Sequence, residues 1–368
     1  MTDDLLDARA HLPELPTRRD WGIGVVGAGF IVRDCHLPSY RDAGFPASAI
    51  TSRTESTARE VAALRGAPRV YTTLEAMLDD PAIEVVDVAV PPAEQPEVMR
   101  RIVAHPRKVK GILAQKPLAL SLAEARELVE ACDEAGIALQ VNQNMRYDHS
   151  VRALRRLLDR RALGDPVLAT IELRAIPHWM PWARDGRSLS TFIMSIHHLD
   201  TMRYWLGDPE RVLASTRPDP RTKFPHVDGL NLVILEYADG ARGSCWDDVW
   251  AGPAREGSAA DLGVRWRFEG TGGLALGSIG WPSWPRKQPS TIDYSTTADG
   301  GAWRRPRWPE AWFPDAFAGT MAGLLIAIET GTEPDVSGRD NLKTIALCEA
   351  VLAAATEHRV VSFAGWGG

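Results

Sequence analysis

The sequence predicts an α/β N-terminal domain built on a parallel sheet, followed by an α+β C-terminal domain with a large, mostly antiparallel sheet. Three observations carry this reading. The chain opens on a strand, a tight turn and a helix: Ile23-Gly24-Val25-Val26 runs into Gly27-Ala28-Gly29 and then a helical stretch through Tyr40. Short apolar runs then alternate with helix-like segments as far as Val141. From about Val167 the rhythm changes, and strands follow one another with few helices between them.

Each element has its own local warrant. After the opening strand, β-like runs stand at Ala49-Thr51, Val85-Val90, Gly111-Ala114 and Ala138-Val141, separated by helix-like segments such as Thr54-Leu64, Ala93-Ala104 and Leu122-Ala135. Parallel strands need crossover connections, so this alternation predicts a Rossmann-type parallel sheet with helices on both faces. Later strands are expected at Val167-Arg174, Val212-Ser215, Leu230-Tyr237, Ala241-Trp246 and Val264-Glu269. Between two of them, Tyr237-Ala238-Asp239-Gly240-Ala241 predicts a hairpin with a type I′ turn, the turn that Asp-Gly favours through its positive φ angles. One helix, Ser190-Leu206, interrupts the second sheet, and two more close the chain at Pro314-Glu329 and Asp340-Thr356. The segment Gly280-Pro309, rich in Trp, Pro, Ser and Thr, is expected as a long ordered loop.

Composition sets limits on function. With 368 residues, 45% of them hydrophobic and 24% charged, the chain can form two cores. A net charge of -6 argues against nucleic acid as a partner, because a polyanion binder needs a clustered basic face. No run of about 18 apolar residues marks a membrane span. The start MTDDLLDARAHLPELPTRRD carries acids where a signal peptide needs positive charge and then an apolar core, so a cytoplasmic address is expected. Cys35, Cys132, Cys245 and Cys348 lie far apart, without a C-x-x-C pair; buried free thiols are expected, and no metal site.

Gly27 and Gly29 stand where a dinucleotide's pyrophosphate must approach backbone N–H groups at a helix N-terminus. The third position of the G-x-G-x-x-G pattern is Val32, so the fingerprint rests on context: a strand before it and a helix after it. At the end of the second strand, where NAD binders place an acid, the chain has Ser52-Arg53. Both side chains donate hydrogen bonds and suit a 2′-phosphate, so the cofactor reading is NADP or NAD with a lean to NADP; a surface pair at a helix start is the alternative. Pro91-Pro92 end the fourth strand at the carboxyl edge, where ligands of open α/β sheets bind. Next comes Gln115-Lys116-Pro117, whose lysine could polarise a substrate oxygen or relay its proton, or be simply solvated.

Taken together, Gly27-Ala28-Gly29-Phe30-Ile31, Val90-Pro91-Pro92, Gln115-Lys116-Pro117, Asn144-Met145-Arg146-Tyr147 and Ile196-His197-His198-Leu199-Asp200 resemble the glucose–fructose oxidoreductase/inositol dehydrogenase (Gfo/Idh/MocA) family from about Gly22 onward. The resemblance implies an N-terminal extension over 1–20, a dinucleotide-binding domain over 21–144, and a substrate-binding and oligomerisation domain over 145–368, whose C-terminal helices can pack back on the first. It implies Lys116 as the catalytic lysine and His197 as the acid/base group. Phe30, Ile31, Gln95, Gln115 and Asn144 join the cofactor residues, and the open face of the second sheet serves a homodimer or homotetramer. Two departures stand out. Gln115 replaces the family's glutamate, and Ile193 replaces the aspartate one helical turn before the histidine, removing a carboxylate from the face of His197.

His197 is read as general acid/base because an imidazole exchanges protons near neutrality. Asp200, three residues on, is a candidate to orient its ring, and His198 points about 100° away around the helix. A metal bound by His197, His198 and Asp200 is improbable, since adjacent helical residues diverge. Sugar recognition needs flat apolar faces and directional polar groups. Ile176-Pro177-His178-Trp179-Met180-Pro181-Trp182 offers both, and Arg146, Tyr147, His198 and Asp200 are further substrate-binding candidates, with Trp179 equally readable as core packing. Asp247-Asp248 are read as exposed carboxylates that could bind hydroxyls. The leading function is NAD(P)-dependent oxidation of a CH–OH group in a sugar, cyclitol or derivative. Redox-assisted elimination or glycoside cleavage is a second reading, and a non-catalytic dinucleotide or sugar sensor a third.

Overall fold

The computed structural model describes residues 6, 9, 11–175, 181–184, 188–249, 262–281 and 286–366. His178 and Trp179 lie outside the described residues. The chain divides into two compact units, one of residues 13–144 with 314–345 and the other of the remainder.

The first unit is built on a six-stranded sheet in the order β3-β2-β1-β4-β5-β6, every pair parallel. Its strands are β1 (Ile23–Val26), β2 (Ala49–Thr51), β3 (Arg69–Tyr71), β4 (Val85–Val88), β5 (Gly111–Gln115) and β6 (Ala138–Asn142). The crossovers are α1 (Leu37–Asp42), α2 (Glu55–Arg65), α3 (Leu74–Asp79), α4 (Gln95–Ala104) and α5 (Leu122–Glu134). β1 and β4 are buried along their whole length, as a sheet covered on both faces requires. Ser121 caps α5 by accepting the Glu124 N–H, and Thr73 caps α3 by accepting the Ala76 N–H. The strand order reverses between β1 and β4, and outside the carboxyl ends at such a switch point lies the usual ligand crevice of this architecture.

The second unit holds a nine-stranded sheet in the order β14-β13-β12-β11-β7-β10-β9-β8-β15. Its strands are β7 (Pro166–Arg174), β8 (Arg211–Arg217), β9 (Leu230–Glu236), β10 (Arg242–Asp248), β11 (Gly263–Gly270), β12 (Gly273–Ile279), β13 (Thr291–Thr296), β14 (Trp303–Arg304) and β15 (Val361–Ser362). Among the described residues of this sheet, only β7 and β10 pair in parallel. Helices α6 (His149–Asp159) and α7 (Ile196–Leu206) pack on its inner face, where Val233, Leu235, Cys245, Trp266 and Phe268 are buried. On the other face Leu232 and Ile234 of β9 remain 45% and 48% exposed.

A single turn, α8 (Trp312–Asp315), leads to α9 (Phe317–Thr330) and α10 (Gly338–Glu357). α9 packs on β5 and β6 within the first unit. Gly111 makes room for it, since a Cβ there would meet Ile328 Cδ1 at 2.8 Å and Leu324 Cδ1 at 3.0 Å. Phe317, Met321, Leu324 and Leu325 are fully buried. Four such side chains contribute on the order of 6–12 kcal/mol as an upper bound.

Two sequence expectations are corrected. Gly280-Pro309 is not a loop throughout: it contains β13 and β14, and Ile292 and Tyr294 point inward with the period of a strand. In the hairpin between β9 and β10, Gly240 has φ +90° but Asp239 is not in the positive region. The Gly240 N–H donates to the Tyr237 carbonyl, so the turn is type I with a left-handed glycine after it, not type I′. All four cysteines are buried and free, as expected, and burial holds the Cys35, Cys132 and Cys245 thiols above their usual pKa. Among the described residues no helix is long and apolar enough to cross a membrane.

Candidate active site

In the first unit the chain leaves β1 through Gly27 at φ +118°, and a Cβ there would lie 2.3 Å from the Ala89 carbonyl oxygen. This close approach of the two switch-point strands needs glycine. Gly29 differs: a Cβ built on it meets nothing within 4 Å, leaving open space before the helix that begins at Phe30, where Phe30 and Ile31 are half-buried. Such space beside a helix N-terminus fits a dinucleotide pyrophosphate. Val32, in the third glycine's place, is buried in the core, and the helix widens to a π turn over Val32–His36 before α1. Pro38 of α1 has no N–H to give, and the Leu37 N–H reaches back five residues to the Val32 carbonyl.

Ser52 is half-buried at the end of β2. Arg53 is 81% exposed, and its Nη1 donates to Glu94 Oε1 at 2.8 Å, so an acid does reach this corner, from the loop after β4. In that loop the Pro91 carbonyl accepts the N–H groups of Glu94 and Gln95, starting α4, and Pro91 and Pro92 are half-buried.

Gln95, expected at the cofactor, has another role. It is fully buried, and its Nε2 lies 2.6, 2.9 and 3.1 Å from the carbonyl oxygens of Gln115, Pro117 and Leu118, while its Oε1 accepts the Gln115 N–H at 2.9 Å. Gln95 therefore clamps the turn that carries Lys116, which stands just beyond the carboxyl end of β5. Gln115 Oε1 in turn accepts the Lys116 N–H at 2.9 Å.

Behind Gln115 lies a buried network that the sequence reading missed. His36 Nδ1 sits 2.6 Å from Asp87 Oδ2, which also accepts from Tyr40 Oη at 2.9 Å. A carboxylate against Nδ1 fixes the proton there and leaves Nε2 as acceptor for Asn142 Nδ2 at 3.0 Å and Gln115 Nε2 at 3.4 Å. His36, Tyr40, Asp87 and Asn142 are all fully buried. Burial, with the neighbouring Asp87, holds the Tyr40 phenol well above its usual pKa, so it remains a donor. Two signals in the sequence pointed here: an aspartate inside the apolar run of β4, and a histidine four residues before a tyrosine on one helix.

In the second unit the predicted residues cluster around α7. His197 is buried and meets Trp312 edge-on at 5.3 Å between ring centroids. The Asp200 carboxylate is engaged by Arg146 in a two-pronged buried pair, Nε to Oδ2 at 2.6 Å and Nη2 to Oδ1 at 2.7 Å. Arg146 also lies over the Tyr204 ring at 5.6 Å, and Tyr147 is buried with the Arg152 guanidinium 5.5 Å from its ring. Asn144 is buried at the start of the turn leading to α6.

Ile193 joins Leu189 and Val249 in a small apolar cluster with Trp182, Met194 and Phe224, so no charge is accommodated there. A carboxylate arrives instead from the sheet: Asp247 Oδ1 of β10 lies 2.8 Å from His198 Nδ1. Asp247 Oδ2 accepts from Ser195 Oγ, which receives Asn231 Nδ2 at 3.1 Å. Asp247 and Asp248 are thus not the exposed carboxylates expected. Both are buried, and Asp248 pairs with Arg221 at 2.8 Å. The segment entering α7 is held by Asp228, whose carboxylate accepts the N–H groups of Leu189, Ser190 and Thr191.

Comparison with known proteins agrees with this fold. Residues 21–143 match the oxidoreductase family with an NAD-binding Rossmann fold, and residues 151–276 match the GFO/IDH/MocA C-terminal domain. D-apiose dehydrogenase of Paraburkholderia graminis is 28% identical over 350 residues, covering 92% of this chain and 88% of that protein. Inositol 2-dehydrogenase of Rhizobium meliloti is 26% identical, covering 93% and 98%. A crystal structure of an oxidoreductase from Agrobacterium radiobacter in complex with NAD+, L-tartaric acid and magnesium shares the fold, with a TM-score of 0.80 at 23% identity over 94% of this chain and 99% of that one. The chain therefore belongs to the Gfo/Idh/MocA family of oxidoreductases.

Proposed function

We propose that the chain transfers a hydride between a nicotinamide cofactor and a hydroxyl-bearing or carbonyl carbon of a sugar, cyclitol or sugar derivative. The observation that supports this most is the turn after β5, where Lys116 is presented at the carboxyl edge by a backbone that Gln95 and Gln115 hold. Gly27, Gly29 and the helix start at Phe30 and Ile31 would hold the pyrophosphate, with Pro91, Pro92, Gln115 and Asn144 completing the cofactor's surroundings. When bound, the nicotinamide ring supplies the hydride acceptor, or the donor in the reverse direction. Lys116 Nζ and the His197 imidazole hold and move the proton of the reacting hydroxyl as its C–H bond breaks and the C=O bond forms. Arg146 and Asp200 pin α7 to the turn before α6, and Tyr147 is read as a sugar contact; the other sugar residues expected from the sequence, His178 and Trp179, lie outside the described residues.

The cofactor reading leans to NADP. Arg53 is exposed, and its surface pair with Glu94 is weak enough to yield to a 2′-phosphate. Arg53→Ala is expected to lower kcat/KM for NADP relative to NAD by roughly 10- to 100-fold, the worth of a charge-assisted hydrogen bond of about 1.5–3 kcal/mol. The outer sheet face with Leu232 and Ile234 is read as a homodimer or homotetramer contact; light scattering that finds only monomer at micromolar concentration contradicts this.

The test of the reaction is absorbance of reduced nicotinamide with a panel of branched aldoses, inositols and anhydro-sugars. Lys116→Met is expected to lower kcat by about 10²- to 10⁴-fold while cofactor affinity, followed by fluorescence titration, holds. Turnover without net NAD(P)H would favour redox-assisted elimination, and saturable cofactor binding without turnover on any polyol would favour a sensor. Full activity in both Lys116→Met and His197→Gln would refute the assignment.

A further inference from the structure

We propose that His11, His149 and Glu310 form a zinc-binding site in the second unit, one that ties the segment before the first unit to α6. One ligand atom from each residue can be chosen so that all lie within 4.8 Å of one another. His11 Nε2 is 3.5 Å from Glu310 Oε2, and the two imidazole rings stand 5.0 Å apart between centroids. Tetrahedral Zn²⁺ with bonds of about 2.0–2.1 Å separates its ligand atoms by roughly 3.4 Å. Closure needs ring shifts on the order of 1 Å, within reach of small χ adjustments.

An independent observation points to a ligand. His149 is 2% exposed, and its Nδ1 is buried without a hydrogen-bond partner among the described residues. A buried imidazole nitrogen left so is costly unless something fills its lone pair. His11 is fixed on two sides. Arg152 Nε donates to its carbonyl at 3.0 Å, and its ring stacks on Trp308 at 4.1 Å. Glu310, 26% exposed at the side chain, gives the cluster its one anionic ligand and an opening through which an ion and a water ligand can enter.

Two imidazoles and one carboxylate suit Zn²⁺ better than Mg²⁺ or Ca²⁺, which favour oxygen ligands. Arg152 and Lys287 add positive charge near His149, which places the site below thiolate-rich zinc centres in affinity. The three ligands come from positions 11, 149 and 310, so no spacing motif announces them.

The test uses the full chain without a polyhistidine tag, stripped with chelator and titrated with zinc sulfate by calorimetry and by competition with a chromogenic chelator. The expected result is saturation at one zinc per chain, no displacement by excess Mg²⁺, and a rise in Tm with zinc. His11→Gln and Glu310→Gln should each weaken binding by about 100-fold or more, beyond the usual effect of losing an outer-shell partner, and should abolish the zinc-dependent rise in Tm. His11→Gln lies outside the packed strands and helices, so it keeps the test open if His149→Gln fails to fold. No saturable zinc binding in the folded wild-type chain, or wild-type affinity in His11→Gln, overturns the proposal.

Discussion

Replacing Gln95 with leucine tests whether the Lys116 turn is positioned from behind. The side-chain amide has two hydrogens facing three carbonyl oxygens at 2.6–3.1 Å, and its oxygen accepts the Gln115 N–H at 2.9 Å. Leucine fills a similar volume but leaves at least two carbonyls and one N–H buried without partners. At roughly 1–3 kcal/mol for each orphaned group, and with some relaxation, the expected loss is about 3–6 kcal/mol. It should appear as a lower urea midpoint. A turn free to shift by 1 Å should lower kcat by about 100-fold, with little change in cofactor KM, because the Gly27 and Gly29 turn is untouched. Gln95→Glu should behave differently. Its carboxyl can accept the Gln115 N–H but faces carbonyl oxygens, so it is held protonated in the folded state. A raised folded pKa places the stability below the unfolded value, and that stability is lost as pH rises through the folded one. A steeper loss of stability and kcat with rising pH than in wild type is therefore expected. A leucine variant with the wild-type urea midpoint and kcat would refute the clamp.

The two glycines should separate fold from cofactor binding. Gly27→Ala places a Cβ 2.3 Å from the Ala89 oxygen at φ +118° and should prevent correct folding, whereas Gly29→Ala meets no protein atom within 4 Å and should keep the wild-type Tm while raising cofactor KM; equal Tm losses in both would contradict the cradle. Asp148 and His149 should give opposite pH slopes in metal-free protein. Burial raises Asp148 to about 6, so its ionisation destabilises the fold as pH rises between about 4 and 6, and Asp148→Asn should remove a loss of about 3 kcal/mol across that window. Burial lowers His149 to about 3, so the unfolded chain takes its proton first and stability falls as pH drops below about 6.5; His149→Gln should flatten that limb by up to about 1.4 kcal/mol per pH unit, as read from urea midpoints.

The fold was legible because its signals are local. β1, the Gly27-Ala28-Gly29 turn and α2, α4 and α5 announce themselves within windows of a dozen residues, through apolar runs, glycine and caps. The elements that escaped were short or masked. β3 is three residues long and only half-buried, so it carries no apolar run. β13 hides its alternation among polar threonines and serines, inside a segment whose tryptophans and prolines suggested a loop. The type I turn at Gly240 escaped for a different reason, since Asp-Gly is compatible with either turn and the choice lies in the register of β9 and β10.

The site was legible only in part, because its supporting contacts join residues far apart in sequence. Gln95 reaches Gln115 across 20 residues and Asn142 reaches His36 across 106, and neither spacing belongs to any motif. Ile193 has the same difficulty in a sharper form. Read along the helix, it removes the carboxylate one turn before His197. Read in three dimensions, an apolar cluster surrounds Ile193, while a carboxylate from the sheet, Asp247, lies beside His198. The acid beside this histidine pair comes from β10 and faces His198. Restoring the helical acid alone, by Ile193→Asp, would bury a second carboxylate among the apolar side chains of Leu189, Val249 and Phe224. Burying an unpaired carboxylate costs several kcal/mol, so that variant should lose stability and gain no activity. A gain in kcat from it would mean that a carboxylate one turn before His197 assists catalysis here, and that Asp247 serves the fold alone.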